Sequence, residues 1–529
     1  MVDRIDRLRR AVVGTAQWMG HRPITEPALP RLALSRWVAD VRAQGGAVRR
    51  HVLMTAFRNR TWIEWAVYAT CQLRRLGVAT TLVYSGSEVR RLYPLARVAG
   101  VDQLGFWAGV AEIPDLRLVD LDDWRPGAEE AERYRDFAHA YAPTVAAYDL
   151  HVEEQEEGPL APAYRRAVTR AEGMLADTAA ALERILQQNP VSRVIGYSGL
   201  IGRSPAVQEA ARRLGIEVLT VEGWAWRPGH MICNRNAPAL EYNVEGWLRA
   251  AAWDASRERE TQRLLRFQEG ALGRDEIAPG NLHRVQRTSV AAPLPPEVAA
   301  FRGRPGPSFL LATNVVGDSS TLRRATLFPS QRDWLRQTIS FFRHHPDWSL
   351  LVRAHPDEAF IRRKVVVRMG DVAREMAGSL PNVLVIGGDQ HVSSYALLPG
   401  LRGGLVWISS IGADMVARGL PVLAAARPKY HELGIVEEPP SASGYFEALT
   451  RLASRPAIAP RAEQQERARQ YLDLVFSQFS FDAFSPSYRA HDLLLEGPGS
   501  PPDAGVFYRV VAGDLPPETR PRHDTRDVA

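Results

Sequence analysis

Cysteine is nearly absent from this 529-residue chain: Cys71 and Cys233 stand alone, and there is no CxxC. That excludes a disulfide framework and zinc-type ligand spacing, and it fits a reducing cytosol. Also missing is any apolar run approaching the ~20 residues that cross a bilayer. The opening MVDRIDRLRRAVVGTAQWMG has too short and too polar an apolar part for a signal peptide. The expectation is a cytoplasmic protein, with peripheral contact to the inner face of the membrane left open. No long basic run accompanies the net charge of +6 and pI near 9.4. The arginine-rich balance suits an anionic substrate or a membrane surface and does not argue for nucleic acid.

What is present is a soluble globular composition, 45% apolar and 24% charged. The length exceeds a single core and suggests roughly two to four domains. After a helical, basic lead-in (1–47), Val52–Ala56 reads as a buried strand, Trp62–Leu76 as a helix and Ala79–Tyr84 as a second strand. The loop between the first strand and its helix, with Arg58, Asn59 and Arg60, lies at the sheet edge where ligands gather in such folds. Residues of about 88–190 read as a helical insertion, with EEAERYRDF and VEEQEEGPL marking solvated faces or a loop. Asp120-Leu-Asp122-Asp123 reads as an Asp-rich turn. A further strand–helix–strand carries Gly196, Gly199 and Gly202 in GxxGxxG spacing, which lacks the glycine pair of a dinucleotide turn. Ser204-Pro205 reads as N-cap and first helical residue. The strand Glu217–Val221 then delivers Glu222-Gly223, and a carboxylate shielded by Trp224 and Trp226 suits a general base.

The pattern restarts after a charged helix and a Pro-rich stretch that together read as an interdomain linker (246–306). Phe309–Thr313 is a strand opening onto Asn314, Asp318 and Ser319. Trp348–Arg353 leads into Arg353-Ala-His355-Pro356-Asp357-Glu358. GLVWISSIGADMVARGLPVLAAARPKYHELG (404–434) reads as strand, small-residue turn, short helix and strand. Strands alternating with helices on both sides of the linker predict α/β architecture: a 48–245 domain and a 307–460 domain, each doubly wound. A helical and aromatic segment (461–496) and a loose tail (497–529) follow. The three loops of the second half converge at one sheet edge. Arg353 and His355 supply cationic or donor groups, while Ser409, Ser410 and Gly412 open a helix whose N–H groups suit a phosphate. Asp414 stands in the first turn of that helix. Asn314, Asp318 and Asp414 suit ribose or base contacts.

LVRAHPDE followed by WISSIGADMVARGLPVLAAARPKYHELG resembles the bacterial capsule polysaccharide biosynthesis family. That family is related to Kdo transferases and, more distantly, to CDP-glycerol glycerophosphotransferases. The resemblance covers roughly 190–490 and extends to Thr313-Asn314 with Asp318, to Tyr430 and Gly434, and to Glu222-Gly223. It implies a GT-B-like fold of two Rossmann-like domains facing a cleft, with the donor held by the C-terminal domain. It also implies glycosyltransfer from a nucleotide sugar, commonly CMP-linked in the Kdo branch, to a surface-polysaccharide or glycolipid acceptor, with no metal and no cofactor. By this resemblance Arg353 and His355 act on the leaving phosphate and Glu222 removes the acceptor proton. Asn314, Asp318, Ser319, Pro356, Glu358, Ser409, Ser410, Gly412 and Asp414 bind the donor, and Arg58, Asn59 and Arg60 lie on the acceptor side. Asp414 stands where the family carries Glu, one methylene longer. A polyol-phosphate transferase using a CDP-linked donor, and a GT-B-like nucleotide- or glycan-binding protein without turnover, are the alternatives.

Overall fold

A computed structural model describes residues 31–57, 60–92, 103–158, 160–224, 229–250, 253–269, 293–360, 367–454, 459–483, 490, 493–494, 497–498 and 504–516. The strands of the first half are β1 (Arg50–Ala56), β2 (Val78–Tyr84), β3 (Leu116–Asp120), β4 (Arg193–Tyr197), β5 (Val218–Gly223) and β6 (His230–Arg235). Those of the second half are β7 (Ser308–Ala312), β8 (Ser349–Arg353), β9 (Val383–Ile386), β10 (Gly403–Val406), β11 (Val422–Ala424) and β12 (Phe481–Asp482). Two compact units divide them.

The first unit holds a sheet ordered β12-β6-β5-β4-β1-β2-β3. Strands β1 to β5 are parallel, and β6 and β12 run antiparallel to their neighbours. Parallel strands are covered on both faces, so they are built from continuous apolar runs; Val52, Leu53 and Met54 of β1 are all fully buried. One face packs on the helix Arg60–Arg75 through Ile63, Trp65 and Ala66. The other packs on the helices Ala161–Gln188 and Ser204–Arg213 through Leu182, Ile185, Val207 and Ala210.

The second unit holds a wholly parallel sheet ordered β11-β10-β7-β8-β9. The helix Gln331–Arg343 shows why these segments fold as they do. Ser330 caps it by accepting the Asp333 N–H at 3.1 Å, and Trp334, Leu335, Thr338, Ile339 and Phe342 form its buried stripe. In both units the chain leaves the first strand on one side and returns on the other. The order reverses between β1 and β4 in one and between β7 and β10 in the other, as in Rossmann-like sheets. The chain is thus α/β, with two Rossmann-like doubly wound units. Among the described residues no helix is long and apolar enough to cross a membrane.

The expected domain limits need correction. The segment of about 88–190 contributes β3 to the first sheet, and its residues 147–164 belong to the second unit. The charged helix expected in the 246–306 linker is Ala255–Gln268, and it packs within the second unit instead of only connecting domains. The tail expected to be loose over 497–529 holds a packed helix at 504–512, while its residues 499–503 and 517–529 lie outside the described residues. After the helix Ala462–Asp473 of the second unit, β12 joins the first sheet, and the helix Ala504–Ala512 buries Phe507, Tyr508, Val510 and Val511 in that unit's core. Pro- and Gly-rich flanks hide a short helix whose stability comes from tertiary packing and not from its own propensity.

Phe507 packs against Phe481 and Tyr508, with ring centroids 5.8 and 5.1 Å away. Phe507→Ala is expected to cost ~3–5 kcal/mol by loss of burial and an unfilled cavity. Chemical denaturation checks this, and a cost below about 1 kcal/mol, the scale of an ordinary surface change, would remove the helix from the core.

Candidate functional site at the switch point of the second sheet

The chains leaving β7 and β10 diverge, and the site is built where they part. Asn314 follows β7 and its side-chain oxygen accepts the Ile408 N–H beyond β10 at 3.3 Å. Gln331, buried at the start of its helix, holds Asn314 from behind. Its oxygen accepts the Asn314 N–H at 2.6 Å and its amide donates to the Asn314 carbonyl at 3.0 Å. Gln331 is not signalled by the sequence reading; the available cue was an amide side chain directly after a Ser N-cap.

Beyond β10, Ser409 and Ser410 form the turn into the short helix Ile411–Ala417. Tyr430 is buried beneath it and donates its hydroxyl to the Ser409 carbonyl at 2.6 Å. Burial, then the neighbouring Tyr471 and Asp414, push the Tyr430 pKa well up, so it stays a donor. Gly412 serves this contact, since a Cβ there would lie 2.2 Å from the Tyr430 oxygen. Ser410 makes no side-chain cap to its own helix and is partly exposed. Asp414 is only 1% exposed. Arg418 reaches its carbonyl at 3.0 Å and lies 3.6 Å from its carboxylate, and is itself held by the Leu265 carbonyl, Gln268 and Glu269. The shorter carboxylate therefore sits in an internal network.

At the end of β8, Arg353 is 4% exposed. One terminal nitrogen donates to the Gly387 carbonyl and the other to the Val392 carbonyl at 2.9 Å, so the guanidinium braces the loop after β9. Burial lowers its pKa to about 10, with Glu358 and Asp389 opposing, and it stays charged at neutral pH. His355 points differently. Its Nδ1 accepts the Asp357 N–H at 3.2 Å, which leaves the proton of the neutral ring on Nε2, and the side chain is partly exposed. Pro356 precedes the short helix Asp357–Phe360. Glu358 is buried, its carboxylate accepting the N–H groups of Met369 and Gly370 at 3.0 and 3.3 Å. It fills the anion seat at the start of the helix Met369–Ala377. Burial raises its pKa to about 7, with Asp371 adding and the two N–H groups and Arg368 opposing. Asp318 is exposed and closes an Asx turn by accepting the Ser320 N–H at 2.9 Å; Ser319 beside it is half-buried.

The structure thus brings Asn314, Ser409, Ser410 and His355 to the ends of three adjacent strands, β10, β7 and β8. Register places Ala312 between Val406 and Arg353, and strand spacing is about 5 Å. Arg353, Glu358 and Asp414 belong to the same edge but are engaged internally.

In the first unit, β5 runs on through Gly223, so Glu222 lies inside the strand opposite Ile232 of β6 and is 8% exposed. The Trp224 N–H bonds the His230 carbonyl at 2.8 Å, closing the hairpin. Arg58, Asn59 and Trp226 lie outside the described residues, as does the side chain of Arg60, which opens the helix Arg60–Arg75. The GxxGxxG loop serves its own turn. Ser204 accepts the Gly199 and Ile201 N–H groups at 3.2 Å each, and Gly199 has φ +89. The helix cap falls on Arg203, one residue before the expected Ser204. Asp120 and Asp122 accept the N–H groups of Gly86 and Ser87 at the start of the helix Gly86–Leu92. Burial works against the charge of Asp122, yet these bonds, the Ser85 and Ser87 side chains and Arg203 hold its pKa below the usual range.

No family model matches the sequence, and no curated protein matches it. Among solved structures, it is similar to Thermosulfurimonas dismutans KpsC, a beta Kdo 2,4 transferase, at 14% identity and TM-score 0.32, over 53% of this chain and 80% of that one. It is also similar to UDP-GlcNAc 2-epimerase from Neisseria meningitidis bound to UDP-GlcNAc, at 14% identity and TM-score 0.25, over 80% and 95%. A third is CalG4, the calicheamicin glycosyltransferase, at 14% identity and TM-score 0.22, over 80% and 94%.

The raised pKa of Glu358 sets a pH dependence. Between its ordinary value of 4.5 and about 7, the folded chain keeps a proton that the unfolded chain has lost. Stability from this group therefore falls as pH rises through that window and levels off above it. Subtracting the unfolding free energy of Glu358→Gln from that of wild type should give a difference that declines from pH 4.5 to 7. A difference independent of pH across the window would refute the assignment.

Proposed function

We propose that this protein is a glycosyltransferase that moves a sugar from a nucleotide-sugar donor to a glycan or glycolipid acceptor. The donor phosphate binds at the edge formed by β10, β7 and β8. The observation that carries the reading is the meeting of Asn314 with the Ile408 N–H at the strand-order reversal, flanked by the Ser409-Ser410 turn and by the Nε2 proton of His355. Ligands gather at such reversals. The R-x-HP and SSxGxD elements carry the resemblance to capsule polysaccharide enzymes onto these same residues.

In the reaction the bond from the anomeric carbon to the donor phosphate oxygen breaks and one to the acceptor oxygen forms. His355 donates through Nε2 to the phosphate oxygen that gains charge, with the Ser410 hydroxyl beside it. Arg353 keeps the loop after β9 in place and adds positive potential from below. Glu222, buried within β5 one residue before its end, is the proposed base that takes the acceptor proton. Donors linked to CMP, as in the Kdo branch, and CDP-linked polyol phosphates present the same phosphate chemistry. A glycolipid acceptor would bring the protein to the inner membrane surface as a peripheral partner. A second reading, nucleotide binding without turnover, is favoured by the internal engagement of Arg353, Glu358 and Asp414.

Thermal-shift screening with CMP, CDP, UDP and GDP tests the site. One nucleotide should raise the melting temperature, and His355→Ala should weaken its binding about tenfold or more, as expected for a charge-assisted hydrogen bond. No shift with any of the four would count against both readings. Glu222→Gln should lower turnover by at least about a hundredfold while leaving nucleotide binding unchanged; undiminished transfer would remove Glu222 as the base.

A further inference from the structure

The acidic stretch His151–Gly158 is not the solvated face its composition suggests. The Glu156 side chain is 1% exposed and that of Glu153 10%. The stretch lies between the helices Arg135–Leu150 and Ala161–Gln188, but residues 147–164 pack as part of the second unit.

Several of its contacts reach the loop that leads from β7 to the helix Gln331–Arg343 and the first turn of that helix, while the Tyr164 hydroxyl donates to the Glu154 carbonyl. Near the start of that loop Gly317 has φ +71, and a Cβ there would lie 2.7 Å from the His151 Cα and 2.8 Å from the Ala147 carbonyl. Backbone therefore lies directly against backbone. At the middle, Glu154 accepts the Arg323 N–H at 2.7 Å. At the end, Glu153 accepts the Arg332 N–H at 3.0 Å, and Glu156 takes the Arg332 guanidinium on both oxygens at 3.3 and 3.2 Å. Arg332 adjoins Gln331, the residue that clamps Asn314 from both sides.

We infer that residues 151–156 form a strap that sets the position of the Asn314–Gln331 loop, and that Glu156 and Arg332 are positioning residues for the nucleotide site. This rests on the proposed nucleotide reading of that site. Two features separate the strap from general packing. First, two of its carboxylates address backbone N–H groups, which fixes where the loop runs whatever its side chains. Second, a buried carboxylate is costly unless its partner is well placed, so the Glu156–Arg332 fork holds only when the loop end is in register. From Glu156 the bonded path is short: Arg332, its neighbour Gln331, Asn314, and then the Ile408 N–H at the switch point.

The test uses the full chain and two readouts. Hydrogen exchange is followed by mass spectrometry over 314–332, and affinity for the nucleotide found in the thermal screen is measured by calorimetry well below the melting temperature. Glu156→Gln and Gly317→Ala should each speed exchange in this loop about tenfold or more relative to the rest of the second unit. Each should also weaken nucleotide binding about tenfold, while Glu157→Gln, at an exposed position, changes neither. Arg332→Lys keeps the charge and loses the planar fork; it should show the same effects more weakly, and it serves if Glu156→Gln does not fold. Loop exchange at the wild-type rate in these variants overturns the strap. Faster exchange with unchanged affinity overturns the positioning role. If wild type binds none of the four nucleotides, the nucleotide reading fails by itself, and the exchange data still decide whether the strap holds the loop.

Discussion

The second unit depends on the parting of two chains at the ends of β7 and β10. A parallel sheet that is wound in both directions must leave such a gap, because the connections on either side of it go to opposite faces. Here the gap is spanned by one side chain. Asn314 reaches the Ile408 N–H, and Gln331 saturates the Asn314 backbone so that the residue has little freedom to move. The turn at Ser409 is fixed independently from below by Tyr430, whose close approach demands glycine at 412. Two rigid supports, one on each side of the gap, hold the edge where Ser410 and His355 stand partly exposed.

Around this edge, buried charge is matched to backbone dipoles more than to free counter-ions. Arg353 is spent on two carbonyls, Glu358 on two N–H groups, and Glu153 on another. Such pairing lets charged groups stand inside a low-dielectric edge without an exposed partner. It also separates two roles that a motif merges. In R-x-HP the arginine braces the loop after β9, the histidine accepts the Asp357 N–H through Nδ1, and the glutamate that follows caps a helix.

Much of the fold was legible because buried parallel strands are written as apolar runs. Val52–Ala56, Ala79–Tyr84, Phe309–Thr313 and Val422–Ala425 match the observed strands to within one or two residues at each end, a common margin for element ends. The edge strand β3 was missed, since its Leu-Arg-Leu-Val-Asp is mostly half-exposed and sits among helices. At the candidate site, the loops could be placed from strand ends, but the partners of their side chains could not. Nothing local marks that Arg353 will meet carbonyls at 387 and 392, that Asp414 will lie by Arg418 within a network reaching Leu265, or that Glu156 will be buried against Arg332. Those pairings join residues up to 176 positions apart, and they arise only once the sheets have formed.

The return of the chain to the first sheet has a consequence for its assembly. Residues 243–479 sit, in sequence, inside the first unit, and β12 with the helix Ala504–Ala512 arrives only after them. During synthesis the inner body has all its strands before the outer one does. The outer core must wait, with Phe481, Phe507 and Tyr508 still to come, while the part of Arg60–Arg75 that packs on the last helix stays uncovered. The second unit can therefore complete its sheet before the first, and until the last helix docks the first core keeps apolar surface exposed, the kind of surface that makes nascent chains prone to associate.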